Sequence, residues 1–396
     1  MELLIDVTKE YALCLEGGGA KGAYQIGAWR ALKEAGVRIS AVAGTSVGAL
    51  NGALICMGDL ETAEDIWRNI SQSQVMEVAE ETVTQFLEGN AKWNDWMETL
   101  LKCASEGGAD ITPLKELISD CIDEKKIRAG KIAFYLHTFS LSEMKELDVN
   151  VKEIEEGQLQ DYLLASAYLP VFKRKKLHGK KYMDPGILNN VPIDSLIKRD
   201  YKDIIVLRIF GPGRCKPVEI PTEVKVYSVE PRVSLGNFLN FEGKKSSRNL
   251  KIGYYDTKRM LYGLSGKIYY IDEKEDEDYY FKKFVGTKKQ VMEYLNRVYL
   301  DKQTKSTCRN YMEDTLDAIA EELRMKKYDY KELYLSIVEA TAKLFRIQKY
   351  CIYTLEELIT EIVNKKTKIT YPAFVSIILN RVPIEYTTEG NIKQLQ

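Results

Sequence analysis

Short apolar runs and helical spacings alternate along the first 260 residues. Six runs rich in apolar residues predict strands, at 11–15, 38–43, 131–141, 145–151, 203–210 and 223–230. Four stretches with apolar residues at helical spacing predict helices, at 23–35, 47–58, 59–70 and 158–167, and residues 71–128 have a less regular helical pattern. Strands that alternate with helices indicate a mainly parallel sheet with helices on both faces.

The pattern changes after about residue 265. Residues 272–278 are all charged, which is typical of a solvated connector. From Lys283 onward one helical pattern follows another without a convincing strand. We therefore predict a first domain at 1–265, an acidic connector at 266–285 and an all-helical C-terminal domain at 286–396, whose role the sequence does not assign.

Composition narrows the class of protein. The 57 basic and 58 acidic side chains nearly cancel, which argues against a nucleic-acid-binding protein. The seven cysteines show no C-x-x-C spacing, as expected of reduced thiols in the cytoplasm. The N-terminus lacks the features of a signal peptide, and no apolar run approaches the roughly 18 residues of a membrane span. We expect a cytoplasmic protein whose membrane contact, if it has any, is peripheral.

A glycine-rich loop follows the first predicted strand. In LEGGGAKGAYQIG, Gly17, Gly19 and Gly22 match the G-x-G-x-x-G fingerprint of dinucleotide-binding proteins. That fingerprint also needs an acidic residue at the end of the second strand, which here ends in SAVAG. The Walker A pattern fails as well, because Lys21 is followed by Gly22. The sequence therefore predicts no nucleotide cofactor.

The second strand instead runs into GTSVG, which is the G-x-S-x-G pattern of a nucleophile elbow. This turn would hold Ser46 in a strained corner between a strand and a helix. Side chains at Gly44 and Gly48 would collide there with neighbouring backbone. Ser46 would then lie at the N-terminus of a helix, whose dipole favours developing negative charge.

The glycine loop supplies what such a serine requires. An ester attacked by Ser46 passes through an oxyanion that needs N–H donors already in place. The amides around Gly18 and Gly19 are the natural candidates, since glycines let a substrate approach the backbone. Lys21 either adds a positive charge to this loop or is simply solvated, and the sequence leaves both open.

Three residues are candidates for the general base. His137 lies within a predicted buried strand, and His178 lies at the predicted tip of a hairpin. Neither has an obvious carboxylate partner in its own motif, so a Ser-His-Asp triad is disfavoured. Asp184, at the turn formed by Pro185 and Gly186, is the better candidate. It could equally well cap that turn, and as a base it would need burial to raise its pKa.

Three segments together resemble a known family. LCLEGGGAKGAYQIGAWRAL, GTSVGALNGAL and ASAYLPVFKRKKLHGKKYMDPGILNNVP are similar, in order and spacing, to the signature blocks of patatin-like phospholipases. These blocks are an oxyanion loop with a basic residue, a G-x-S-x-G elbow, and a D-G-[GA] block preceded by A-S-x-x-x-P. The resemblance spans roughly residues 9–260.

The resemblance implies a three-layer α/β/α sandwich that hydrolyses acyl esters of phospholipids or other lipids without a metal or nucleotide. By position, it implies that Ser46 is the nucleophile and Asp184 the base. It assigns the oxyanion loop to Gly17, Gly18, Gly19 and Lys21. Pro185 departs from the pattern, because the family usually has glycine there; proline removes an N–H and could shift Asp184. Two alternatives stay open: acyl transfer on the same dyad, and a lipid-binding regulator with a weakened site.

Two further segments have open interpretations. Trp93, Trp96, Met97, Leu100 and Leu101 lie at helical spacing, on a helix that either packs on the core or dips into lipid. The predicted hairpin before Asp184 is basic, and it either attracts anionic head groups or is a solvated edge; its cations are Lys173, Arg174, Lys175, Lys176, Lys180 and Lys181. The C-terminal helices are candidates for covering the site, for self-association or for binding a partner.

Overall fold

A computed structural model gives the fold of the chain. It describes residues 1–76, 109–169, 172, 176–177, 179–300, 307–365 and 370–383. The chain forms two compact units, one spanning Glu2–Tyr262 and the other beginning at Gly263. Within the part of the chain that the structure describes, no helix combines the length and the apolarity needed to cross a bilayer.

The first unit is built on a seven-stranded, mainly parallel sheet with the order β4-β3-β2-β1-β6-β7, with β5 paired to β3. Its strands are β1 Glu10–Leu15, β2 Arg38–Thr45, β3 Ala133–Ser140, β4 Lys145–Asn150, β5 Tyr182–Met183, β6 Asp203–Leu207 and β7 Lys225–Val229. β1, β2, β3, β6 and β7 are parallel, whereas β4 and β5 run antiparallel to β3. The mainly parallel sheet is as the sequence predicts.

Helices cover both faces of this sheet. The described helices are α1 Ala23–Glu34, α2 Val47–Met57, α3 Leu60–Asn69, α4 Gln72–Val75, α5 Thr112–Cys121, α6 Glu124–Ala129, α7 Leu159–Ser166, α8 Ile193–Ile197 and α9 Gly243–Tyr262. α8 packs on β1 and β2, where Ala12, Cys14, Ala41 and Ala43 form a core with Leu196. α2 packs on β2 and β3, and α1 packs along α9. The unit is thus the α/β/α sandwich that the resemblance implies.

The placement of β5 brings distant parts of the chain together. β2 ends at Thr45, which pairs with His137 of β3. β4 pairs with one edge of β3 from Tyr135 to Ser140. β2 pairs with the other edge only as far as His137, so β5 pairs with Phe139 on that edge, beyond the end of β2. Because β5 runs antiparallel to β3, the residue after Met183 heads back toward the end of β2. The sheet therefore brings Asp184 to the strand end that carries Ser46.

β6 is shorter than the sequence pattern predicts. The apolar run continues to Phe210, but the strand ends at Leu207. The amides of Ile209 and Phe210 donate instead to the Glu16 carboxylate, at 2.6 and 3.0 Å. A side chain from the end of β1 thus replaces the ladder hydrogen bonds and turns the chain out of the sheet.

The second unit is mainly helical. Its helices are α10 Glu277–Val285, α11 Lys289–Tyr299, α12 Cys308–Asn310, α13 Leu316–Glu322, α14 Tyr330–Leu344, α15 Leu355–Asn364 and α16 Val375–Leu379, and a π-helical turn at Tyr311–Thr315 joins α12 to α13. One feature was not predicted: β8 Tyr270–Asp272 and β9 Ile352–Thr354 form a short parallel pair. Within the acidic run, Asp276 caps α10 and Glu273 is buried 3.1 Å from Lys331.

Two glycines set the closest helix contact of the first unit. A Cβ on Gly27 of α1 would overlap the carbonyl of Leu250, and one on Gly253 of α9 would overlap the carbonyl of Tyr24. Each helix therefore packs its backbone against that of the other, which no larger residue allows.

Replacing Gly253 with alanine tests this contact. In an unconstrained helix the change would stabilise by about 1 kcal/mol. Here we expect the free energy of unfolding to fall by about 1–3 kcal/mol, because the methyl group forces two backbones apart. Urea denaturation measures it. Lys251→Ala, at an exposed position of α9, is the control and should change stability by less than about 0.5 kcal/mol. A stabilised Gly253→Ala protein would contradict the backbone contact.

Candidate functional site

Ser46 occupies the strained strand-to-helix turn that the elbow pattern predicts. Its φ is 55° and its ψ is −125°, a conformation that costs a non-glycine residue about 1–3 kcal/mol. A Cβ on Gly44 would overlap the backbone of Gly48, and one on Gly48 would overlap the carbonyl of Leu15. The two glycines therefore let α2 begin directly against β1 and β2, and this close packing maintains the strain at Ser46.

The Ser46 hydroxyl does not cap helix α2, as a serine at this position usually would. Ser46 is the N-cap of α2, yet its side chain accepts no capping hydrogen bond. Its hydroxyl lies beside the Asp184 carboxylate instead, and hydrogen bonding from it opposes the rise in the pKa of Asp184. The Ser46 amide donates to Ser166 Oγ at 2.9 Å, and the Asp184 amide donates to the Tyr168 carbonyl at 2.8 Å. The segment at the end of α7 thus fixes both members of the pair.

Asp184 combines both roles that the sequence left open. One oxygen, Oδ1, accepts the Gly186 amide at 2.8 Å and caps the 3₁₀ turn Pro185–Ile187. The side chain is buried, with 4% exposed. Burial raises the pKa of Asp184 from its ordinary 3.8 to about 6, against the opposing effect of the hydrogen bonds from Ser46 and Gly186. A carboxylate with this pKa is a far better proton acceptor near neutrality than a free aspartate.

Pro185 fits the turn. It is the first residue of the 3₁₀ turn that Asp184 caps. At the first position of a helical turn the missing N–H has no partner to lose, and the fixed φ of proline suits the conformation. The expected displacement of Asp184 therefore has no structural basis here, and Gly186 provides the amide that Asp184 accepts.

Some backbone amides of the glycine loop donate hydrogen bonds to carbonyls of the protein, and others do not. The Gly17 amide donates to the Asn190 carbonyl at 3.1 Å, and the Ala20 amide donates to the Phe238 carbonyl at 2.7 Å. Among the described residues, the amides of Gly18 and Gly19 have no acceptor. Gly19 has a φ of +52°, and a Cβ there would overlap the Phe238 carbonyl. Of the predicted loop residues, Gly18 and Gly19 can bind an anion, whereas Gly17 holds the loop in place.

Lys21 is not a solvated bystander. Its Nζ donates to the carbonyl of Phe210 at 2.5 Å. Burial lowers its pKa, and the charge of Glu16 opposes this effect. The side chain therefore ties the glycine loop to the segment that follows β6.

Two residues that sequence reasoning missed hold the loops together. Glu16 is 1% exposed, and its carboxylate also accepts from Arg208 Nε at 3.0 Å. Asn190 donates from Nδ2 to the Gly17 carbonyl at 2.9 Å, while its Oδ1 lies against Gly17 and Gly186. The sequence contained two signals for these residues: a glutamate directly after an apolar strand, and a pair of asparagines after the Asp184 turn.

His137 lies elsewhere. It is buried on the sheet face covered by α8, with Nε2 3.3 Å from Asp148 Oδ1. Asp148 also accepts from Ser195 Oγ at 2.9 Å and pairs with Arg199. His137 thus belongs to a polar cluster on the face of the sheet that α8 covers. His178, the hairpin residues Lys173, Arg174 and Lys175, and the predicted tryptophan helix at 93–101 lie outside the described residues.

An apolar pocket opens at Ser46. It is lined by α2, α3 and α5 together with segments after α4 and α7, and Gly19 and Ser46 also line it. Among the described residues that line it, the side chains other than Ser46, Asn51 and Cys121 are apolar. Leu50 and Leu54 follow Ser46 along α2, so the pocket extends for about 12 Å from the hydroxyl at the helical rise per residue.

Comparison with known proteins agrees with this arrangement. The family model for patatin-like phospholipase matches residues 13–197, which include Ser46 and Asp184. The match covers a little less than half of the chain, and over this region the chain is similar to patatin-like phospholipases.

The similar proteins are far longer than the matched region. The patatin-like phospholipase domain-containing protein 7 of Mus musculus is 27% identical over 208 residues, covering 50% of this chain and 13% of that protein. The neuropathy target esterase sws of Drosophila melanogaster is 30% identical over 209 residues, with the same coverage. The crystal structure of VipD from Legionella pneumophila aligns with a TM-score of 0.41 at 14% identity, covering 96% of this chain and 91% of that one.

The raised pKa of Asp184 predicts how stability depends on pH. The folded state binds this proton more tightly than the unfolded chain, so the stabilisation is complete below pH 3.8 and is lost as the pH rises through about 6. We expect Asp184→Asn to gain roughly 3 kcal/mol of stability, relative to the unchanged protein, between pH 4 and pH 8. Urea denaturation across this range measures the difference.

Asp194→Asn provides a control of opposite sign. Burial of Asp194 is outweighed by its hydrogen bond and ion pair with Lys198, so its pKa is lowered. Its replacement should therefore lose relative stability as the pH rises toward the ordinary value of 3.8, and the deficit should stay nearly constant from about pH 5 to pH 8. A pH-independent difference for Asp184→Asn would show that the carboxyl is not destabilised by burial.

Proposed function

We propose that the first unit is a serine hydrolase of fatty-acyl esters that uses a Ser46–Asp184 dyad. The observation that carries this proposal is the placement of the Ser46 hydroxyl beside the buried Asp184 carboxylate, together with the amides of Gly18 and Gly19, which have no acceptor among the described residues. The similarity to patatin-like phospholipases supports a lipid substrate. A phospholipid or lysophospholipid is the natural class, because a relative carries the name lysophospholipase nte1.

The proposed reaction follows from this geometry. Asp184 accepts the hydroxyl proton as Ser46 Oγ attacks the ester carbonyl, and the carbonyl oxygen becomes an oxyanion. The amides of Gly18 and Gly19 bind the oxyanion, and the N-terminus of α2 favours the same charge. The carbonyl reforms as the alcohol leaves with the proton from Asp184, and Ser46 retains the acyl group. Water then repeats the sequence, releasing the fatty acid and restoring the hydroxyl.

The pocket favours a long acyl chain over a small ester. Its apolar lining begins at Ser46 and continues along α2, so an acyl chain could extend from the reacting carbonyl away from water. The head group would then remain at the mouth, toward the glycine loop and the Asp184 turn.

Replacement of either dyad residue tests the proposal. Ser46→Ala and Asp184→Asn should each lower hydrolysis of a p-nitrophenyl ester by about a thousandfold or more, because the nucleophile or its base is lost. Initial rates measure the effect, and circular dichroism checks the fold. His137→Ala is the control and should retain turnover wherever it folds. Turnover in Ser46→Ala equal to that of the unchanged protein would refute the dyad.

The pH dependence gives an independent check. Asp184 must be ionised to accept the proton, so kcat/KM should rise with pH and level off above an inflection near 6. An inflection that persists after Asp184→Asn would assign the base to another group.

Acyl-chain length tests the pocket. Each methylene that the pocket buries should raise kcat/KM by about fourfold, and the rise should stop where the chain meets the end near Leu54. Leu54→Trp should end the rise at shorter chains without slowing the shortest esters. A series of p-nitrophenyl esters measures this, with Val226→Trp, on an exposed strand position, as the control. An unchanged profile in Leu54→Trp would place the acyl chain elsewhere.

A further inference from the structure

Large apolar side chains are exposed around the mouth of the candidate site. β1, β2, β3, β6 and β7 all end at one edge of the sheet, and Ser46 directly follows β2. Four exposed apolar residues lie in loops at this edge, here called the docking residues: Met144 (73% exposed), Leu188 (38%), Phe210 (48%) and Val233 (39%). They come from four separate segments of the chain, so their convergence results from the fold.

Two of the docking residues have backbone conformations that side chains rarely adopt. Met144 has a φ of 52° and Phe210 a φ of 45°. Among the described residues, these are the two large apolar residues with positive φ. Glycine or asparagine would occupy such positions with less strain. Stability alone therefore does not account for methionine and phenylalanine at these loop tips.

Hydrogen bonds to two charged side chains hold the backbone of Phe210 in place. Glu16 accepts its amide, and Lys21 donates to its carbonyl. The guanidinium of Arg208 lies 5.2 Å from its ring centre. Because its backbone is fixed on both sides, the exposed ring is preorganised beside the glycine loop and does not depend on a flexible tip.

The same edge has an excess of positive charge. The segments 141–146, 176–177, 179–181, 211–216, 230–236 and 242–248 contribute loops and a helix start around it. Among the described residues of these segments, the exposed cations are Lys145, Lys176, Lys180, Lys181, Arg214, Lys216, Arg232, Lys244, Lys245 and Arg248, and the exposed carboxylates are Glu143, Glu146, Glu230 and Glu242. A chain with almost no net charge therefore has a local basic surface beside its exposed apolar residues.

We propose that this edge docks on an anionic lipid bilayer, with Phe210 and Met144 entering the acyl boundary and the lysines contacting head groups. Apolar side chains surrounded by cations match the two layers of such a surface. Docking in this orientation would place Ser46 and the pocket mouth toward the membrane. The inference rests on the proposed function only in that the bilayer would hold the substrate.

Vesicle binding by the full chain tests the proposal without catalysis. In a Ser46→Ala background, we expect sedimentation with vesicles of phosphatidylcholine and phosphatidylserine. Met144→Asn with Phe210→Asn should lower the partition coefficient at least about tenfold, the change supported by burial of one large apolar side chain. The melting temperature should not fall, since asparagine tolerates positive φ. Ile220→Asn, at an exposed residue on the chain leading into β7, is the matched control and should bind normally.

A second set of variants tests the contribution of positive charge to vesicle binding. Lys176→Glu with Lys181→Glu should lower binding to the anionic vesicles toward the level seen with phosphatidylcholine alone. Absence of sedimentation, unchanged binding of the double asparagine variant, an equal loss in Ile220→Asn, or equal binding to both vesicle types would each overturn the proposal. Vesicle binding with no ester hydrolysis by the unchanged protein would refute the proposed function alone, and hydrolysis by the unchanged protein without vesicle binding would refute the docking alone.

Discussion

The site depends on one steric constraint, the direct contact of α2 with the ends of β1 and β2. Gly44, Gly48 and the Leu15 carbonyl pack so closely that no Cβ fits between them. This contact forces the chain through the positive φ of Ser46 and leaves the serine hydroxyl uninvolved in capping. A relaxed turn would let the hydroxyl cap the helix, and the interaction with Asp184 would be lost.

Two buried carboxylates, Glu16 and Asp184, also shape the site. Glu16, in the chain just past β1, ends β6 early and joins the glycine loop to the segment carrying Phe210. Asp184 is also buried, but its ionised form is disfavoured there, as its raised pKa shows. The unit therefore contains one buried carboxylate that holds loops in position and one whose ionised form burial disfavours. Both lie at the strand ends, where loops from the whole sheet converge.

Pattern and motif were sufficient for much of the architecture. The apolar run at 11–15, the GTSVG turn and the helix at 23–35 occur where the sequence places them, since local propensity and packing agree there. The prediction failed at 208–210, where an apolar run leaves the sheet because Glu16 accepts its amides. It also missed β9, whose three residues pair with β8 about 80 residues earlier. Periodicity contains no information on either long-range interaction.

The sequence by itself determined which residue types stand at which turn: a serine between two glycines, a glycine loop before a helix, and an aspartate before proline and glycine. Only the tertiary structure decided how they act. It showed that Gly17 supports the loop while Gly18 and Gly19 keep free amides, that Lys21 holds Phe210, and that His137 lies under the sheet. The physical reason is that burial, pairing and pKa depend on which distant segments share a sheet edge, and the pairing of β5 with β3 sets that arrangement.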